Sequence, residues 1–181
     1  DSGGAGLHRG GNGLSVAYRF LCDGHVGIHD DRWLTYPWGV LGGEVGRRST
    51  KRIVRKDGSE QWLPAKAENI KVQSGDVLYF NTWGGGGWGD PFERDPALVR
   101  QDVERRLVSA SGAQRYGVVM ADDGEVDEIA TQLLREELRG ARGDIEVFNR
   151  GGTIEELKAR CVEETHLPAP VDPSFQTTRT A

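Results

Sequence analysis

Glycine clusters constrain the fold of this chain more than any other feature of its sequence. The chain has 26 glycines in 181 residues, and many of them gather in residues 1–13, 30–46 and 83–90. The usual glycine share is about 7%, so the content here is roughly doubled. Glycine lacks a Cβ atom, weakens helices and strands, and permits one backbone to approach another closely. The three segments are therefore predicted to be loops that make close backbone contacts and are held by a scaffold.

Strands with a two-residue period of apolar side chains are predicted to supply that scaffold. They cover residues 14–20, 25–29, 51–55, 60–63, 69–72 and 76–81. The first two strands are predicted to pair as a hairpin around Cys22-Asp23-Gly24, and the next two around Lys56-Asp57-Gly58-Ser59. Residues 1–94 are therefore expected to form a mainly antiparallel β region with glycine-rich and aromatic loops.

The period changes after residue 94, where signals of helix termini appear. Asp95-Pro96 predicts the start of one helix, and Thr153 with Glu156 forms a capping-box pattern that predicts the start of another. Between them, residues 109–116 predict a short helix and residues 126–138 predict the clearest amphipathic helix of the chain.

Together these patterns predict an α+β fold, in which a mainly antiparallel β region with Gly-rich loops is followed by short C-terminal helices. The β region of residues 1–94 leads into a helical appendage over residues 95–166 and an extended tail over residues 167–181. The tail contains three prolines and lacks an apolar period. It is therefore expected either to wrap around a partner or to be mobile.

Composition and charge argue against several classes of protein. The formal net charge is −5 and the pI is about 5.4, with Lys and Arg scattered, which removes the electrostatic basis for nucleic-acid binding. No apolar run approaches the ~20 residues that span a bilayer, so no membrane association and a cytoplasmic location are expected. Cys22 and Cys161 lie far apart without a CxxC partner, so neither a zinc site nor a disulfide is predicted.

The sequence does not contain the common catalytic motifs. The glycine-rich segments lack the Lys-Ser/Thr pair of a P-loop, so ATP is not expected to bind this chain alone. Ser2 lies outside a G-x-S-x-G elbow and is interpreted as a turn residue. His25 and His29 share one face of a predicted strand, where surface histidines are favoured over a metal pair. No metal or cofactor is therefore predicted to be held by this chain alone.

A polar run and four tryptophans remain as candidates for function. Asp30-Asp31-Arg32 lies between a strand and an aromatic loop, where it either lines a cleft or forms a solvated turn. Large aromatic rings in glycine-rich loops are expected to pack, and packing against a neighbouring polypeptide is favoured over a substrate box. These rings are Trp33, Trp38, Trp83 and Trp88.

Four motifs occur together in the chain. They are DSGGAGLHRGG over residues 1–11, DRWLTYPWGVLGG over 31–43, Gly75-Asp76 before an apolar strand, and GGGGWGDPFER over 84–94. The combination resembles the hydantoinase B/oxoprolinase family over about residues 1–140. The resemblance implies the C-terminal part of a longer subunit, whose companion N-terminal part carries a divalent metal. It also implies a hydantoinase A-like, actin-like ATPase subunit that holds ATP and Mg, so this chain is not expected to be active alone.

The resemblance implies an ATP-dependent cyclic-amide hydrolase that opens hydantoin, oxoproline or lactam rings. Two alternatives remain open: a subunit of an ATP-dependent ketone carboxylase of the acetone or acetophenone type, and a non-catalytic assembly module of such a complex. Polar groups of this chain are expected to position a small cyclic-amide or ketone substrate in a cleft. The predicted substrate-binding residues are Asp1, Ser2, Arg9, Asp31 and Arg32, with Gly84, Gly85, Gly86 and Gly87 shaping the wall.

Overall fold

The computed structural model describes residues 1–171, which contain eight strands, three α-helices and two short 3₁₀ helices. The strands are β1 (Ser15–Arg19), β2 (Gly24–His29), β3 (Gly39–Val40), β4 (Thr50–Val54), β5 (Glu60–Trp62), β6 (Lys66–Val72), β7 (Val77–Asn81) and β8 (Phe148–Asn149). The helices are α1 (Pro96–Glu104), α2 (Glu128–Ala141) and α3 (Ile154–Thr165), and the 3₁₀ helices cover Pro91–Glu93 and Ser111–Tyr116. The predicted α+β fold is confirmed, since seven of the eight strands precede the first α-helix.

The strands form three antiparallel groups. A four-stranded sheet has the order β1-β7-β4-β5, and two further pairs join β2 to β6 and β3 to β8. The predicted hairpin of β4 and β5 is confirmed, with Ile53 opposite Gln61. In its turn, Asp57 Oδ1 accepts hydrogen bonds from the backbone N–H of Ser59 at 2.9 Å and from the Ser59 hydroxyl at 2.7 Å.

The predicted hairpin of β1 with β2 is wrong, because these strands belong to different sheets. Ser15 of β1 lies opposite Asn81 of β7, whereas β2 pairs with β6. The chain crosses between the sheets near Phe20, whose N–H donates to the carbonyl oxygen of Asp76 at 2.9 Å. Apolar alternation defines which face of a strand is buried, but it does not define the neighbouring strand.

Two clusters of buried apolar residues form the core. One cluster joins the four-stranded sheet to the β2–β6 pair and consists of Ile28, Ile53, Leu63, Ile70, Val72 and Leu78. The other joins the first glycine-rich segment to the helical region and consists of Ala5, Val99, Val108, Ala113, Tyr116 and Val118. Because Ala5 is fully buried in the second cluster, the helical region holds residues 1–13 from one side.

Capping side chains begin the helices where the sequence predicts. Asp95 Oδ1 accepts from the backbone N–H of Ala97 at 2.8 Å and starts α1. The capping box of Thr153 and Glu156 is present at the start of α3. The predicted amphipathic helix is α2, which starts after its cap at Asp127. A side-chain oxygen that accepts from an otherwise unpaired N–H stabilises each of these helix ends.

The structure adds detail to three predicted features of the C-terminal half. The predicted short helix at 109–116 is the 3₁₀ helix, which ends at Gly117 with φ of 62°. Within α2, Ile129 is 76% exposed and Leu133 is 62% exposed, so residues 1–171 leave part of its apolar face uncovered. Of the predicted tail, residues 167–171 form no helix or strand, and residues 172–181 lie outside the described residues.

In the described part of the chain, no helix is long and apolar enough to cross a membrane.

Candidate functional site

The three glycine-rich segments lie side by side and are joined by backbone hydrogen bonds. They cover residues 2–13, 37–47 and 82–90, and we call their assembly the glycine lattice. Gly4 N–H donates to the carbonyl oxygen of Gly85 at 2.8 Å, and Gly85 N–H donates to that of Gly11 at 2.8 Å. Glu44 N–H donates to the carbonyl oxygen of Ala5 at 2.7 Å, and Gly87 N–H donates to that of Glu44 at 2.9 Å. The predicted close backbone contacts are therefore present, and they join one glycine segment to another.

Most glycines of the lattice have no room for a side chain. A Cβ atom on Gly84 would lie 1.8 Å from the carbonyl oxygen of Ser2, and one on Gly86 would lie 1.7 Å from that of Trp38. A Cβ atom on Gly87 would likewise lie 1.9 Å from the carbonyl oxygen of Ala5. Residues 84–87, predicted as a pocket wall, are thus packed directly against neighbouring backbone.

Asp1 and Ser2 lie at an open groove of about 750 Å³ between the lattice, one end of the strands β1, β7 and β4, and α3. A volume of this size accommodates a small molecule. Four arginines and five side chains with hydroxyl groups line the groove. They are Arg47, Arg48, Arg115 and Arg160, with Ser2, Ser15, Tyr36, Thr50 and Thr82.

Arg48 is the buried charge of this groove. Its side chain is 0% exposed, and its Nε lies 2.6 Å from Oε2 of Glu164 in α3. Its guanidinium stacks on the ring of Tyr36 at 4.2 Å from the ring centroid, and Tyr36 donates its hydroxyl proton to Oε1 of Glu164 at 2.5 Å. Burial raises the pKa of Tyr36, so its hydroxyl stays protonated at neutral pH.

Arg115 and Asp1 hold the first glycine segment in place at the groove. Arg115 Nη2 lies 2.6 Å from Oε2 of Glu44, and Arg115 Nη1 donates to the carbonyl oxygens of Asp1 at 3.3 Å and Gly3 at 3.2 Å. Asp1 Oδ1 accepts from the backbone N–H of Ser109 at 2.9 Å. Both charged side chains therefore contribute to the structure of the lattice as well as to the lining of the groove.

Arg9 is not among the residues that line this groove. Its Nε lies 3.3 Å from Oδ2 of Asp102, a buried carboxylate of α1 that also pairs with Arg94 at 2.9 Å. Arg9 also donates to the carbonyl oxygen of Gly10 at 2.7 Å. Its contacts tie the first glycine segment to α1.

Asp31 and Arg32 are exposed and lie at a second open groove, of about 460 Å³. The groove is also lined by Trp33, Pro64 and Pro168. Arg32 has φ of 54°, a backbone conformation typical of a tight turn. The structure therefore divides the predicted site residues: Asp1 and Ser2 share one groove, and Asp31 and Arg32 share another.

A buried ionic cluster beside the second groove was not predicted from the sequence. The side chain of Lys51 is 0% exposed and pairs with Asp30, and the hydroxyl of Ser49 donates to the same carboxylate. Burial lowers the pKa of Lys51, and the hydrogen bond to Asp30 opposes that shift. The available signal was the strand period, because Lys51 shares a face of β4 with the fully buried Ile53.

The histidines that the sequence offered as a possible metal pair lie on the surface. His25 and His29 are both exposed, and His29 pairs with Glu68. Within residues 1–171, no group of three or more His, Cys, Asp or Glu side chains could hold a metal ion. The arginines and hydroxyls of the first groove and the polar run of the second are candidates for contact with a bound molecule.

The tryptophans differ in exposure. Trp33 is 4% exposed and belongs to the interior, whereas Trp38, Trp83 and Trp88 are 43%, 41% and 46% exposed. The ring of Trp38 contacts the ring of Phe148, with 6.0 Å between the centroids. Only one of the four rings is therefore covered by the described part of this chain.

Comparison with known proteins places the chain in a family. The family model for hydantoinase B/oxoprolinase matches residues 1–91, so the chain belongs to this family. The chain is 35% identical over 144 residues to the beta subunit of the caprolactamase of Pseudomonas jessenii, which is 75% of this chain and 24% of that protein. It is 33% identical over 132 residues to a putative D-/L-hydantoinase subunit of Pseudomonas sp. (strain NS671), which is 72% of this chain and 22% of that protein.

Solved structures of two related enzymes also match this chain. The crystal structure of the ATP-dependent caprolactamase from Pseudomonas jessenii matches 75% of this chain and 24% of its own chain, with a TM-score of 0.60 and 33% identity. A nucleotide-free acetone carboxylase structure matches 90% of this chain and 26% of its own, with a TM-score of 0.55 and 22% identity, and shows a shared fold. The chain thus spans about a quarter of the length of these relatives, which include subunits of ATP-dependent amide hydrolases.

Proposed function

We propose that this chain is the C-terminal part of a hydantoinase B-type subunit in an ATP-dependent cyclic-amide hydrolase. The observation that carries the proposal is its 35% identity to a caprolactamase beta subunit across 75% of its length. In this assembly the glycine lattice is a rigid base, and the groove at Asp1 and Ser2 receives part of the substrate. In this proposal the side chains that line the groove position the substrate.

The remaining components belong to other polypeptides in this proposal. ATP and Mg are held by an actin-like ATPase subunit, and a divalent metal is held by the companion N-terminal part. Phosphorylation of the amide oxygen by ATP, which leaves as ADP, makes the amide carbon more electrophilic. Water then adds to that carbon and the C–N bond breaks as the nitrogen takes a proton, and a second water releases phosphate from the acyl phosphate that results. The whole assembly works in the cytoplasm, where ATP is available, and this chain is inactive alone.

Hydrolysis of a cyclic amide is favoured over carboxylation of a ketone by the comparisons of sequence. Relatives above 30% identity with named activities include a caprolactamase, a hydantoinase and oxoprolinases, whereas the acetone carboxylase is 22% identical. The two activities differ in their co-substrate, because a carboxylase needs bicarbonate. ATP-dependent loss of a lactam without bicarbonate supports the hydrolase, and bicarbonate-dependent consumption of acetone or acetophenone supports the carboxylase.

A chimeric caprolactamase tests the proposed function. In this chimera, the present chain replaces the matching quarter of the Pseudomonas jessenii beta subunit. We expect ATP-dependent ring opening of caprolactam, hydantoin or oxoproline that is absent from an assembly lacking this quarter. A chimera that assembles but opens none of these rings, with or without bicarbonate and ketone, contradicts an enzymatic role and supports the non-catalytic assembly module.

An exposed apolar surface supports the proposal of a companion polypeptide. We call it the aromatic edge, and it consists of Trp38, Leu41, Trp88, Val147 and Phe148, each 43–56% exposed. The Leu41 N–H donates to the Val147 carbonyl at 2.9 Å, and Val40 is bridged to Trp88, so these residues lie on adjoining segments. A large apolar side chain has ~200 Å² of surface. Because these five side chains are each about half exposed, they leave on the order of 400 Å² of apolar surface in contact with solvent, and a patch of this size marks an interaction site.

We propose that the companion N-terminal part packs on this edge. The test measures binding of the chain to the portion of the caprolactamase beta subunit that has no counterpart here. The double variant Trp38→Ser/Phe148→Ser is expected to weaken binding by about tenfold or more, because large desolvated aromatic side chains dominate interfaces. The matched control is Ile129→Ser/Leu133→Ser on α2, which is expected to bind like the original chain. Weakened binding by the α2 variant, together with unchanged binding by Trp38→Ser/Phe148→Ser, would assign the contact to α2 instead.

A further inference from the structure

The groove at Ser2 presents hydroxyl donors that have no acceptor among residues 1–171. The hydroxyl oxygens of Ser2, Thr82 and Thr50 each accept a hydrogen bond, and none of their protons is donated to an acceptor among residues 1–171. The groups that donate to these oxygens are the N–H of Gly13 (2.9 Å), the N–H of Leu14 (2.8 Å) and Nδ2 of Asn81 (3.1 Å). A hydroxyl whose oxygen already accepts is oriented to donate outward.

The guanidinium groups of the groove also have donors without acceptors. Arg47 is exposed and makes no side-chain hydrogen bond or ion pair with the described residues. The side chain of Arg48 is 0% exposed, and its Nη2 is buried without a hydrogen-bond partner in the described structure. A buried polar atom without a partner costs free energy, which a bound acceptor would recover.

The acidic side chains of the groove are too few to accept hydrogen bonds from all of its arginine and hydroxyl donors. The lining contains Asp1 and Glu164 against four arginines, of which Arg115 is paired with Glu44. Glu164 is occupied by Arg48 and Tyr36, and Asp1 Oδ1 accepts from a backbone N–H. The groove therefore has an excess of positive charge and of hydrogen-bond donors, which is the chemistry that binds an oxyanion.

We infer that this groove binds an oxyanion, a phosphate or a carboxylate, through Arg47, Arg48 and the hydroxyls of Ser2, Thr50 and Thr82. That the oxyanion belongs to the reacting molecule rests on the proposed function. Activation transfers a phosphoryl group from ATP to the amide oxygen and releases ADP. Addition of water to the carbonyl carbon, with a proton taken up by the departing nitrogen, gives an acyl phosphate, and a second water releases inorganic phosphate and leaves a carboxylate. The groove volume of about 750 Å³ holds either species.

Calorimetric titration of the full chain tests the inference. Inorganic phosphate and acetate are titrated separately at constant ionic strength, with chloride as the reference anion. Arg47→Met is expected to weaken binding of the preferred anion by about fivefold, the effect of one exposed charge-assisted contact, and Arg47→Lys by less. Arg19→Met removes an exposed arginine of β1 and is expected to leave affinity within about twofold. Thermal unfolding of each variant verifies its fold.

Three outcomes overturn the inference. They are no binding of either anion up to about 20 mM, equal weakening by Arg47→Met and Arg19→Met, and unchanged affinity in Arg47→Met. The chimeric caprolactamase separates this inference from the proposed function. If the chimera is inactive while phosphate binds through Arg47, the proposed function fails and the anion site stands. If the Arg47→Met chimera turns over like the unchanged chimera, the oxyanion is not part of the reacting molecule.

Discussion

Replacement of Gly86 by alanine is expected to destabilise the whole chain. A Cβ atom there would lie 1.7 Å from the carbonyl oxygen of Trp38, whereas real Cβ contacts begin at 3.0 Å. The two segments must therefore separate by roughly 1.3 Å, the difference between these distances. The segments are joined by hydrogen bonds from the Val40 N–H to the Gly87 carbonyl at 3.0 Å and from the Gly89 N–H to the Val40 carbonyl at 2.8 Å. Separation on this scale breaks both.

Two broken hydrogen bonds between closely packed segments cost about 4 kcal/mol, at roughly 1–3 kcal/mol each. This is a large part of the roughly 5–15 kcal/mol that holds a domain folded. Urea unfolding followed by circular dichroism measures the loss. Gly11→Ala is the matched control, because a Cβ atom on Gly11 would have no neighbour within 4 Å. The control is expected to change the free energy of unfolding by less than about 1 kcal/mol. Equal stability of the two variants would refute the lattice argument.

Three further substitutions have defined outcomes. Asp76→Asn is expected to lower the unfolding temperature at neutral pH, because the Gln73 N–H and other donors lower the pKa of Asp76 below its ordinary value of 3.8. A lowered folded-state pKa stabilises the chain above pH 3.8, so the difference from the unchanged chain should shrink as the pH falls below that value; a constant difference would contradict this. Lys51→Met is expected to cost about 3–5 kcal/mol in urea unfolding, because it leaves the buried Asp30 without its partner, and Asp30→Leu in the same chain should recover most of the loss. Thr153→Ala should cost about 1 kcal/mol and speed amide hydrogen exchange in α3, and unchanged exchange would show that the cap is dispensable.

Local features of this protein were predictable because their causes lie within a few residues. The β4–β5 hairpin follows from its Asp57-Gly58 turn, and α1 and α3 begin at capping side chains that the sequence displays. The glycine clusters predicted close backbone contact, and the combination of motifs identified the family. Each of these inferences needs only short-range chemistry or a recognisable pattern of residues.

The partners of these elements were decided by the tertiary structure alone. Alternating apolar residues could not show that β1 pairs with β7 instead of β2, since many strands fit the same pattern. The predicted site residues likewise separated: Arg9 pairs with Asp102, 93 positions away in the chain, while Arg48 reaches Glu164 across 116 positions to build the arginine-lined groove. Charges pair through space, so a sequence shows that donors exist but only the folded chain decides which of them keep a partner and which are left to bind an anion.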